Sequence, residues 1–341
     1  MEKLVSNWYS TVQSLPESYV LPPDQRPGKL IVPLCKTIPV IDLGKAVGHD
    51  QSNIVQQILD ASQEFGFFQV INHGVSENLM EDTRSLFKDF FNMPDEDKAI
   101  FYSEDSSKGC RLYTSSFNDA KIKVQYWRDN LRHPCHPLEE CMQLWPQKPT
   151  RYREVVGKYS VEVRELSLRI LRLICEGLGL QPGYFGDELT KFQLLTVNHY
   201  PPCPDPSLTL GLPKHCDPNL ITILLQGDVY GLQVFKDVQW IGIEPLPNAF
   251  VVNIGHQLQI ISNGKLKSAE HRAVTNSKEA RTTIVTLINP SFDSVIESAE
   301  DLVSECNPPL YRAFQYREFL QTYSASGGDT KTALEPYKLH V

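Results

Sequence analysis

The chain has 341 residues, of which 41% are hydrophobic and 22% are charged, and these values exclude a disordered or fibrous protein. The net charge of -8, from 33 Lys and Arg against 41 Asp and Glu, argues against nucleic acid as a partner because phosphate binding needs a basic surface. The sequence shows no signal-peptide pattern and no apolar stretch of about 18–20 residues, so we expect a cytoplasmic protein with no membrane partner.

The first half of the chain predicts helices with two short strands between them. A proline-rich lead-in ends in a strand at residues 39–43, and a buried strand follows at 67–71. Apolar residues at helical spacing predict three helices. They run from Ser52 or Asn53 to Gly66, from about Ser76 to Pro94, and from about Thr150 to Gly177. Residues 103–120 are rich in Gly, Ser and Asn and predict a loop.

From residue 192 onwards, short segments rich in Val, Ile, Thr and Phe recur between turn residues. Strands at this spacing favour a β-sandwich or jelly roll. They are residues 192–200, 220–226, 231–235, 240–243, 250–254, 258–261, 271–274 and 281–287. Residues 309–323 predict an aromatic-rich C-terminal helix. We therefore expect a mainly β core and a helical first half that share one hydrophobic core.

His215, Asp217 and His271 are the candidate metal ligands. Alternate residues of a strand point to the same face, so we expect His215 and Asp217 to lie side by side, and later strands can return His271 beside them. Two imidazoles and one carboxylate on one side of a metal leave its other side open, as in non-haem Fe(II) oxygenases. A zinc hydrolase could use the same trio and is an alternative.

Arg281 and Thr283 share one face of a predicted strand that also contains the apolar residues Ile284, Val285 and Leu287. If that face lines a cavity, the Arg281 guanidinium needs an anion, because an unpaired buried charge costs about 3–5 kcal/mol. A dicarboxylate cosubstrate would satisfy it, with one end on the metal and the far carboxylate on Arg281 and Thr283. The alternative is a surface strand with a solvated Arg281.

Asn198 and Tyr200 form a third pair on one strand face, just before a proline-rich turn. Tyr200 could donate a hydrogen bond to the same carboxylate, and Asn198 could face the substrate. We predict both as cosubstrate-binding residues. The alternative for Tyr200 is an ordinary buried tyrosine whose hydroxyl donates to a backbone carbonyl.

Several segments carry a resemblance to a known family. They are residues 38–43, 66–74, 198–204, 211–226, 253–255, 268–272 and 281–283. Together they resemble plant 2-oxoglutarate- and Fe(II)-dependent dioxygenases over nearly the whole chain. Within that family the chain is most similar to the hyoscyamine hydroxylase-like group, and residues 126–129 resemble the salicylate- and flavone-type oxygenases. The similarity to the first group lies in residues 5–8, 152–156, 159–164, 174–180 and 335–338.

The resemblance implies a double-stranded β-helix, or jelly roll, with an N-terminal scaffold of helices and strands and a C-terminal helix. It implies iron ligands at His215, Asp217 and His271, and 2-oxoglutarate contacts at Arg281, Thr283 and Tyr200. It also implies that the enzyme consumes O2, uses ascorbate as a reductant and releases succinate and CO2. Hydroxylation is the reaction expected, with desaturation or ring closure as variants of it.

The same resemblance divides one compact unit into four regions. They are an N-terminal non-haem dioxygenase region at 1–150, a backbone helix at 151–190, an Fe(II)/2-oxoglutarate jelly-roll core at 191–295 and a C-terminal helical lid at 296–341. The sequence departs from the family at three positions. Thr283 replaces the usual Ser, Cys216 replaces the common Thr between two ligands, and His256 replaces the usual Asp.

Aromatic residues near the predicted loop and after the last strand are candidates for the walls of a substrate pocket. The candidate wall residues are Tyr113, Phe117, Tyr126, Trp127, Arg128 and Phe292. A cationic alkaloid would need a carboxylate, for which Asp119 is the candidate, whereas Arg128 would suit an anionic or phenolic substrate. We expect a monomer that acts on a small specialised metabolite, with alkaloid and phenolic substrates both open.

A non-catalytic jelly roll that binds iron and 2-oxoglutarate as a sensor is the alternative from another functional class. The retention of the complete trio together with Arg281 argues against it, because a pure scaffold has no need for an open face on its metal.

Overall fold

Two β-sheets face each other and enclose the space in which the predicted site residues lie. The structure is a computed structural model and describes residues 4–29, 32–35, 38–105, 107–114, 124–327 and 330–339. Within them, one sheet has the strand order β1-β2-β10-β7-β12-β5-β4-β3, a second has the order β6-β11-β8-β9, and β13 pairs with β14. The strands are β1 (Val40–Asp42), β2 (Phe67–Ile71), β3 (Arg111–Thr114), β4 (Asp129–Pro134), β5 (Phe192–Tyr200), β6 (Leu212–His215), β7 (Ile221–Leu225), β8 (Leu232–Lys236), β9 (Gln239–Gly242), β10 (Phe250–Ile254), β11 (His271–Ala273), β12 (Arg281–Asn289), β13 (Val295–Ile296) and β14 (Phe314–Gln315).

Alternating side chains explain why the large sheet is buried on both faces. In β10, Val252 points to the side on which the helices pack, whereas Val251 packs with Leu232 and Val234 of the facing sheet. Asn253, on the same face as Val251, points into the space between the sheets. Strands that are apolar on one face and mixed on the other therefore place a polar cavity inside an otherwise hydrophobic fold.

The helices cover the outer face of the large sheet. α6 packs against β7 and β12, and α2 and α3 pack in turn on α6. Gly177 makes the contact between α2 and α6 close, because a Cβ there would lie 2.7 Å from a methyl carbon of Leu59. The helices are α1 (Val5–Trp8), α2 (Gln51–Glu64), α3 (Glu77–Asn92), α4 (Asp95–Ala99), α5 (Leu138–Cys141), α6 (Tyr152–Leu178), α7 (His256–Ile261), α8 (Tyr316–Ala325) and α9 (Thr330–Leu334).

Most predicted elements are present, and their ends have local causes. α2 begins one residue before the predicted cap, after Asp50, and the chain leaves it through Gly66 at a φ of 69°. The Ser76 hydroxyl accepts a hydrogen bond from the backbone N–H of Leu79 and so caps α3. None of the helices in the described part of the chain is both long and apolar enough to cross a membrane.

The structure corrects the sequence prediction in several places. Residues 258–261, predicted as a strand, belong to α7, because their apolar run is buried by a helix turn as readily as by a strand. The predicted loop at 103–120 contains β3, and the prediction missed β4 and β6 entirely. The predicted C-terminal helix begins only at Tyr316 rather than at 309.

The strands of the first half extend the same large sheet as the core strands. β2 pairs with β10 on one side, and β4 pairs with β5 on the other. The two halves of the chain thus share one sheet and one hydrophobic core, as their separate apolar faces require. The division into four regions stays a prediction.

Candidate active site

His215, Asp217 and His271 meet between the two sheets, and one donor atom from each lies within 4.8 Å of the others. His215 ends β6 and lies directly opposite His271, the first residue of β11. The Nε2 atoms of the two rings lie 3.5 and 3.6 Å from Oδ1 of Asp217. Asp217 lies beyond the end of β6, so a turn, and not strand alternation as predicted, brings it beside His215.

Hydrogen bonds to the far side of each group leave one donor atom pointing to the centre of the trio. Nδ1 of His215 is 2.9 Å from the carbonyl oxygen of Pro213, and Nδ1 of His271 is 3.1 Å from that of Ala269. These carbonyls are acceptors, so each ring carries its proton on Nδ1 and presents a lone pair on Nε2. This is the second layer of contacts that metal-binding histidines commonly have.

The Asp217 carboxylate is held in the same way by two neighbouring strands. Its Oδ2 accepts hydrogen bonds from the Thr222 hydroxyl on β7 at 2.7 Å and from the Asn253 amide on β10 at 3.1 Å. The backbone N–H of His256 also donates to the Asp217 carbonyl at 2.8 Å. The turn that carries Asp217 is therefore fixed, and Oδ1 remains for a metal.

The protonation states suit a metal site. Burial, helped by His215, lowers the pKa of His271 to about 4, so that its ring is neutral at pH 7. Burial alone would raise the pKa of the Asp217 carboxyl. Its contacts with His271, His215 and Thr222 outweigh that effect and hold the pKa well below its usual range. An ionised carboxylate beside a neutral imidazole is the state in which these groups ligate metals.

Arg281 is a buried cation that faces the same cavity. Its side chain is 3% exposed, and its Nε donates to the Val229 carbonyl at 2.9 Å. Among the described residues it has no carboxylate partner, and its guanidinium lies against the Tyr200 ring. Gly231 makes room for it, because a Cβ there would lie 2.8 Å from Cδ of Arg281. The guanidinium therefore faces the cavity without a carboxylate from the described residues.

The strand register places the other predicted cosubstrate residues beside Arg281. In the pairing of β12 with β5, Arg281 is opposite Tyr200 and Thr283 is opposite Asn198. The Asn198 amide donates to the Thr283 hydroxyl at 3.5 Å. Its oxygen accepts from Arg128 at 2.8 Å and from Asn130 at 2.7 Å. Asn198 therefore orients its neighbours.

One cavity of about 450 Å³ contains the trio, Arg281 and part of the predicted substrate wall. Tyr113, Arg128 and Phe292 line it. The structure does not bring Tyr126 and Trp127 to it. Tyr126 packs with Leu21 and Leu210, and Trp127 packs with Trp8 and Tyr19 while its indole donates to Pro201. Phe117, like Asp119, lies outside the described residues.

Several residues of the site were missed by the sequence reasoning. Thr222 and Asn253 orient Asp217, and Asn130 and Arg132 line the cavity from a strand that was not predicted. The alternation of Thr222 between apolar neighbours on a predicted strand could have placed it on the ligand face. Asn253 offered the same signal, since it is the polar residue of an otherwise apolar strand.

Two of the three departures from the family pattern lie outside the metal-facing surface. The Cys216 thiol donates to the Ser268 carbonyl at 3.3 Å, and the Tyr323 hydroxyl donates to the Cys216 carbonyl at 2.8 Å. The His256 ring packs against Phe319 of α8. Burial lowers the pKa of His256 to about 3, so this ring is neutral.

Comparisons with known proteins agree with this geometry. A family pattern described as the 2OG-Fe(II) oxygenase superfamily matches residues 191–290, and one described as the non-haem dioxygenase in morphine synthesis N-terminal region matches residues 38–148. Hyoscyamine 6-dioxygenase of Hyoscyamus niger is 44% identical, with 100% of both chains covered. The 2'-deoxymugineic-acid 2'-dioxygenase of Hordeum vulgare is 44% identical over 91% of this chain and 90% of the relative.

The fold matches solved structures as well. The crystal structure of JOX2 in complex with 2OG, Fe and JA has a TM-score of 0.88 and 35% identity, and covers 99% of this chain and 98% of that one. The expected jelly-roll fold, the expected family and the expected oxidoreductase activity are thereby confirmed. The chain belongs to the 2OG-Fe(II) oxygenase superfamily and is a 2-oxoglutarate-dependent dioxygenase.

Proposed function

We propose that His215, Asp217 and His271 hold the Fe(II) of this oxygenase and that Arg281 binds the far carboxylate of 2-oxoglutarate. The observation that carries the proposal is the buried Arg281 guanidinium, which faces the same cavity as the trio and has no carboxylate partner among the described residues. A metal with an open face can bind one end of a dicarboxylate, and the Arg281 cation in the same cavity can bind the other end.

The donor set fits ferrous iron. Two imidazole nitrogens and one carboxylate oxygen are the ligands of the facial arrangement that leaves positions for a cosubstrate and O2. When bound, iron supplies the oxidative chemistry that converts 2-oxoglutarate and O2 to succinate and CO2 and functionalises a C–H bond of the substrate.

The protein contributes positioning. Thr222 and Asn253 fix the Asp217 carboxylate, and Nδ1 contacts fix both imidazoles. We assign binding of the far carboxylate of 2-oxoglutarate to Arg281, Tyr200 and Thr283, with Asn198 as the residue that orients the Thr283 hydroxyl. Burial of these groups keeps water from the reacting atoms and strengthens each polar contact.

The proposed substrate is a small specialised metabolite. The relatives named above act on hyoscyamine and 2'-deoxymugineic acid, and a further relative, 41% identical, is flavanone 3-dioxygenase 2 of Oryza sativa subsp. japonica. Hyoscyamine is an alkaloid and flavanones belong to phenolic metabolism, so the proposal includes both alkaloid and phenolic substrates. Tyr113, Arg128 and Phe292 are proposed as substrate contacts. We also propose a cytoplasmic monomer that uses ascorbate to keep its iron reduced.

The test is succinate formation by purified protein with Fe(II), ascorbate and 2-oxoglutarate, screened against tropane alkaloids, salicylate and flavanones. We expect at least one compound to stimulate succinate release, and His215→Ala or Asp217→Ala to abolish both that release and the binding of Mn(II). His49→Ala, a change at an exposed histidine, is the control and should change neither.

The outcomes separate the alternatives. Turnover that persists in both ligand variants would contradict the metal assignment. A zinc hydrolase would consume no O2 and would not need Arg281. A sensor would bind Mn(II) and 2-oxoglutarate normally yet release no succinate with any compound.

A further inference from the structure

Three polar side chains project into the cavity from β4 and the residue before it, and we call Arg128, Asn130 and Arg132 the arginine wall. They are alternate residues, so strand geometry directs all three to the same face of the large sheet. The Asp217 trio and Arg281 use other strands of that cavity. Arg128 and Arg132 are therefore cationic groups that face the same cavity as Arg281 and Arg272.

The two arginines of the wall lack anionic partners among the described residues. Arg128 is 4% exposed, and while one terminal nitrogen donates to Asn198, its Nε has no acceptor. The side chain of Arg132 makes no ion pair or hydrogen bond with any described residue. A buried or half-buried guanidinium with unused donors is costly until an acceptor arrives.

The neighbouring strand makes this part of the wall more electropositive. In the pairing of β3 with β4, Arg132 lies directly opposite Arg111. Like charges in directly opposed positions destabilise a sheet, and each guanidinium disfavours the charged form of the other. Part of the lowered pKa of Arg111, after the larger effect of burial, comes from Arg132. An anion at this place would relieve the repulsion.

Arg132 is separate from the 2-oxoglutarate position. On β5, Arg281 is opposite Tyr200, whereas Arg132 is opposite Thr196. Four residues along a strand correspond to about 13 Å, and β4 and β12 lie on opposite sides of β5. A 2-oxoglutarate that reaches from the iron to Arg281 therefore leaves Arg132 unoccupied.

The rest of the cavity suits an apolar body and offers no site for a cation. Among the described lining residues, Asp217 is the only acidic one, and it belongs to the metal trio. Aromatic and aliphatic side chains from β5, the segment after β12 and α8 complete the lining. They include Phe192, Phe292, Tyr316, Leu320 and Tyr323.

We propose that Arg132 binds the carboxylate of an organic-acid substrate whose apolar body lies against the aromatic lining. This inference rests on the proposed function, since it places the substrate in the cavity of the iron and 2-oxoglutarate. The carboxylate then anchors the substrate at the wall, and the part of its body nearest the trio presents the C–H bond that reacts.

Equilibrium binding tests the charge preference. The probes are 3-phenylpropanoic, 4-phenylbutanoic and 3-cyclohexylpropanoic acids, each compared with its methyl ester and with the primary amine of the same skeleton. Calorimetry uses full-length protein loaded with Mn(II) and 2-oxoglutarate, so that no turnover occurs. We expect at least one acid to bind ten or more times more tightly than its ester and its amine. Tighter binding of an amine, no preference, or no binding of any acid would overturn the inference.

Substitutions of Arg132 and Arg111 test which residue is responsible for the preference for acids. Arg132→Gln should weaken the binding of that acid at least tenfold, and Arg132→Glu should make the matching amine the better ligand. Arg111→Gln removes a neighbouring charge that does not line the cavity, and should weaken acid binding by a clearly smaller factor than Arg132→Gln. Equal losses in the Arg111 and Arg132 variants would overturn the assignment, because the effect would then be a general one of net charge.

Measurements of Mn(II) binding, 2-oxoglutarate binding and thermal unfolding on the same samples distinguish a failure of the wall assignment from a failure of the proposed function. Each variant should retain the wild-type affinity for 2-oxoglutarate and its thermal unfolding temperature, which shows that the fold and cosubstrate position are intact. A wild-type protein that fails to bind Mn(II) and 2-oxoglutarate contradicts the proposed function. Normal binding of both without an acid preference contradicts only the role of the wall.

Discussion

The metal trio and the arginine wall face one cavity but differ in how their polar groups are satisfied. In the trio, each group has a fixed partner on its far side, such as Pro213 for His215 and Thr222 for Asp217. In the wall, Nε of Arg128 has no acceptor and the Arg132 side chain has no carboxylate partner among the described residues. The protein thus fixes the orientation of the proposed metal ligands in advance, whereas the proposed partner of the wall is part of the substrate.

Because of this difference, we expect substitutions at the two places to affect the binding of different ligands. Changes around the trio should act on metal and 2-oxoglutarate, and changes in the wall should act on the organic substrate. We group Arg281 with the trio although its lack of an anionic partner resembles the wall, because its register places it beside Tyr200, a second residue proposed to bind the cosubstrate.

The largest of these effects is expected for Arg281→Ala. Loss of a charge-assisted contact costs about 1.5–3 kcal/mol, so the dissociation constant of 2-oxoglutarate should rise roughly 10- to 150-fold while Mn(II) affinity stays unchanged. Calorimetric titration of the Mn(II)-loaded protein measures both. Arg132→Gln is the matched control and should leave 2-oxoglutarate affinity within twofold. An equal loss in the two variants would remove the distinction between the cosubstrate position and the wall.

A comparable or smaller effect is expected for Thr222→Val, which removes the hydroxyl that orients Asp217 and preserves side-chain shape. Loss of such a second-layer contact commonly lowers metal affinity 10- to 100-fold. Thr286→Val is the control, because Thr286 is also buried on a strand of the large sheet but its hydroxyl has no partner among the described residues. Mn(II) titration of both variants decides the matter. Equal affinities would show that Asp217 does not depend on Thr222.

Strand alternation can be predicted from the sequence, whereas the pairing of distant strands cannot, and this difference decides which site residues could be predicted. Arg281 and Thr283 lie in a predicted strand with alternating polarity, so their shared face was visible in the sequence, whereas Asp217 lies beside His215 because of a turn. The position of His271 opposite His215 was not visible, because it depends on the pairing of β6 with β11, and β6 was not predicted.

The arginine wall was less visible for a similar reason. β4 has the sequence Asp-Asn-Leu-Arg-His-Pro, which contains few residues typical of strands, and its fold is set by pairing with β5 and β3. Tertiary pairing overrides weak local propensity in such a segment. Arg128 was a candidate from its sequence neighbours, but Arg132 gained its place in the cavity only through the register with Thr196.

The smallest effects are expected for substitutions of Thr283. They test its hydroxyl, which is assigned to the cosubstrate, and its methyl group, which the usual family serine lacks, one at a time. Thr283 is buried, so Thr283→Ser should lower the free energy of unfolding by about 0.5–1.5 kcal/mol through loss of a packed methyl group. It should leave 2-oxoglutarate affinity unchanged because the hydroxyl remains. Thr283→Val removes the hydroxyl and should therefore weaken 2-oxoglutarate binding by about 0.5–1.5 kcal/mol. Denaturant unfolding and calorimetry measure the two quantities, and a Val variant with wild-type 2-oxoglutarate affinity would mean that Arg281 and Tyr200 hold the carboxylate without Thr283.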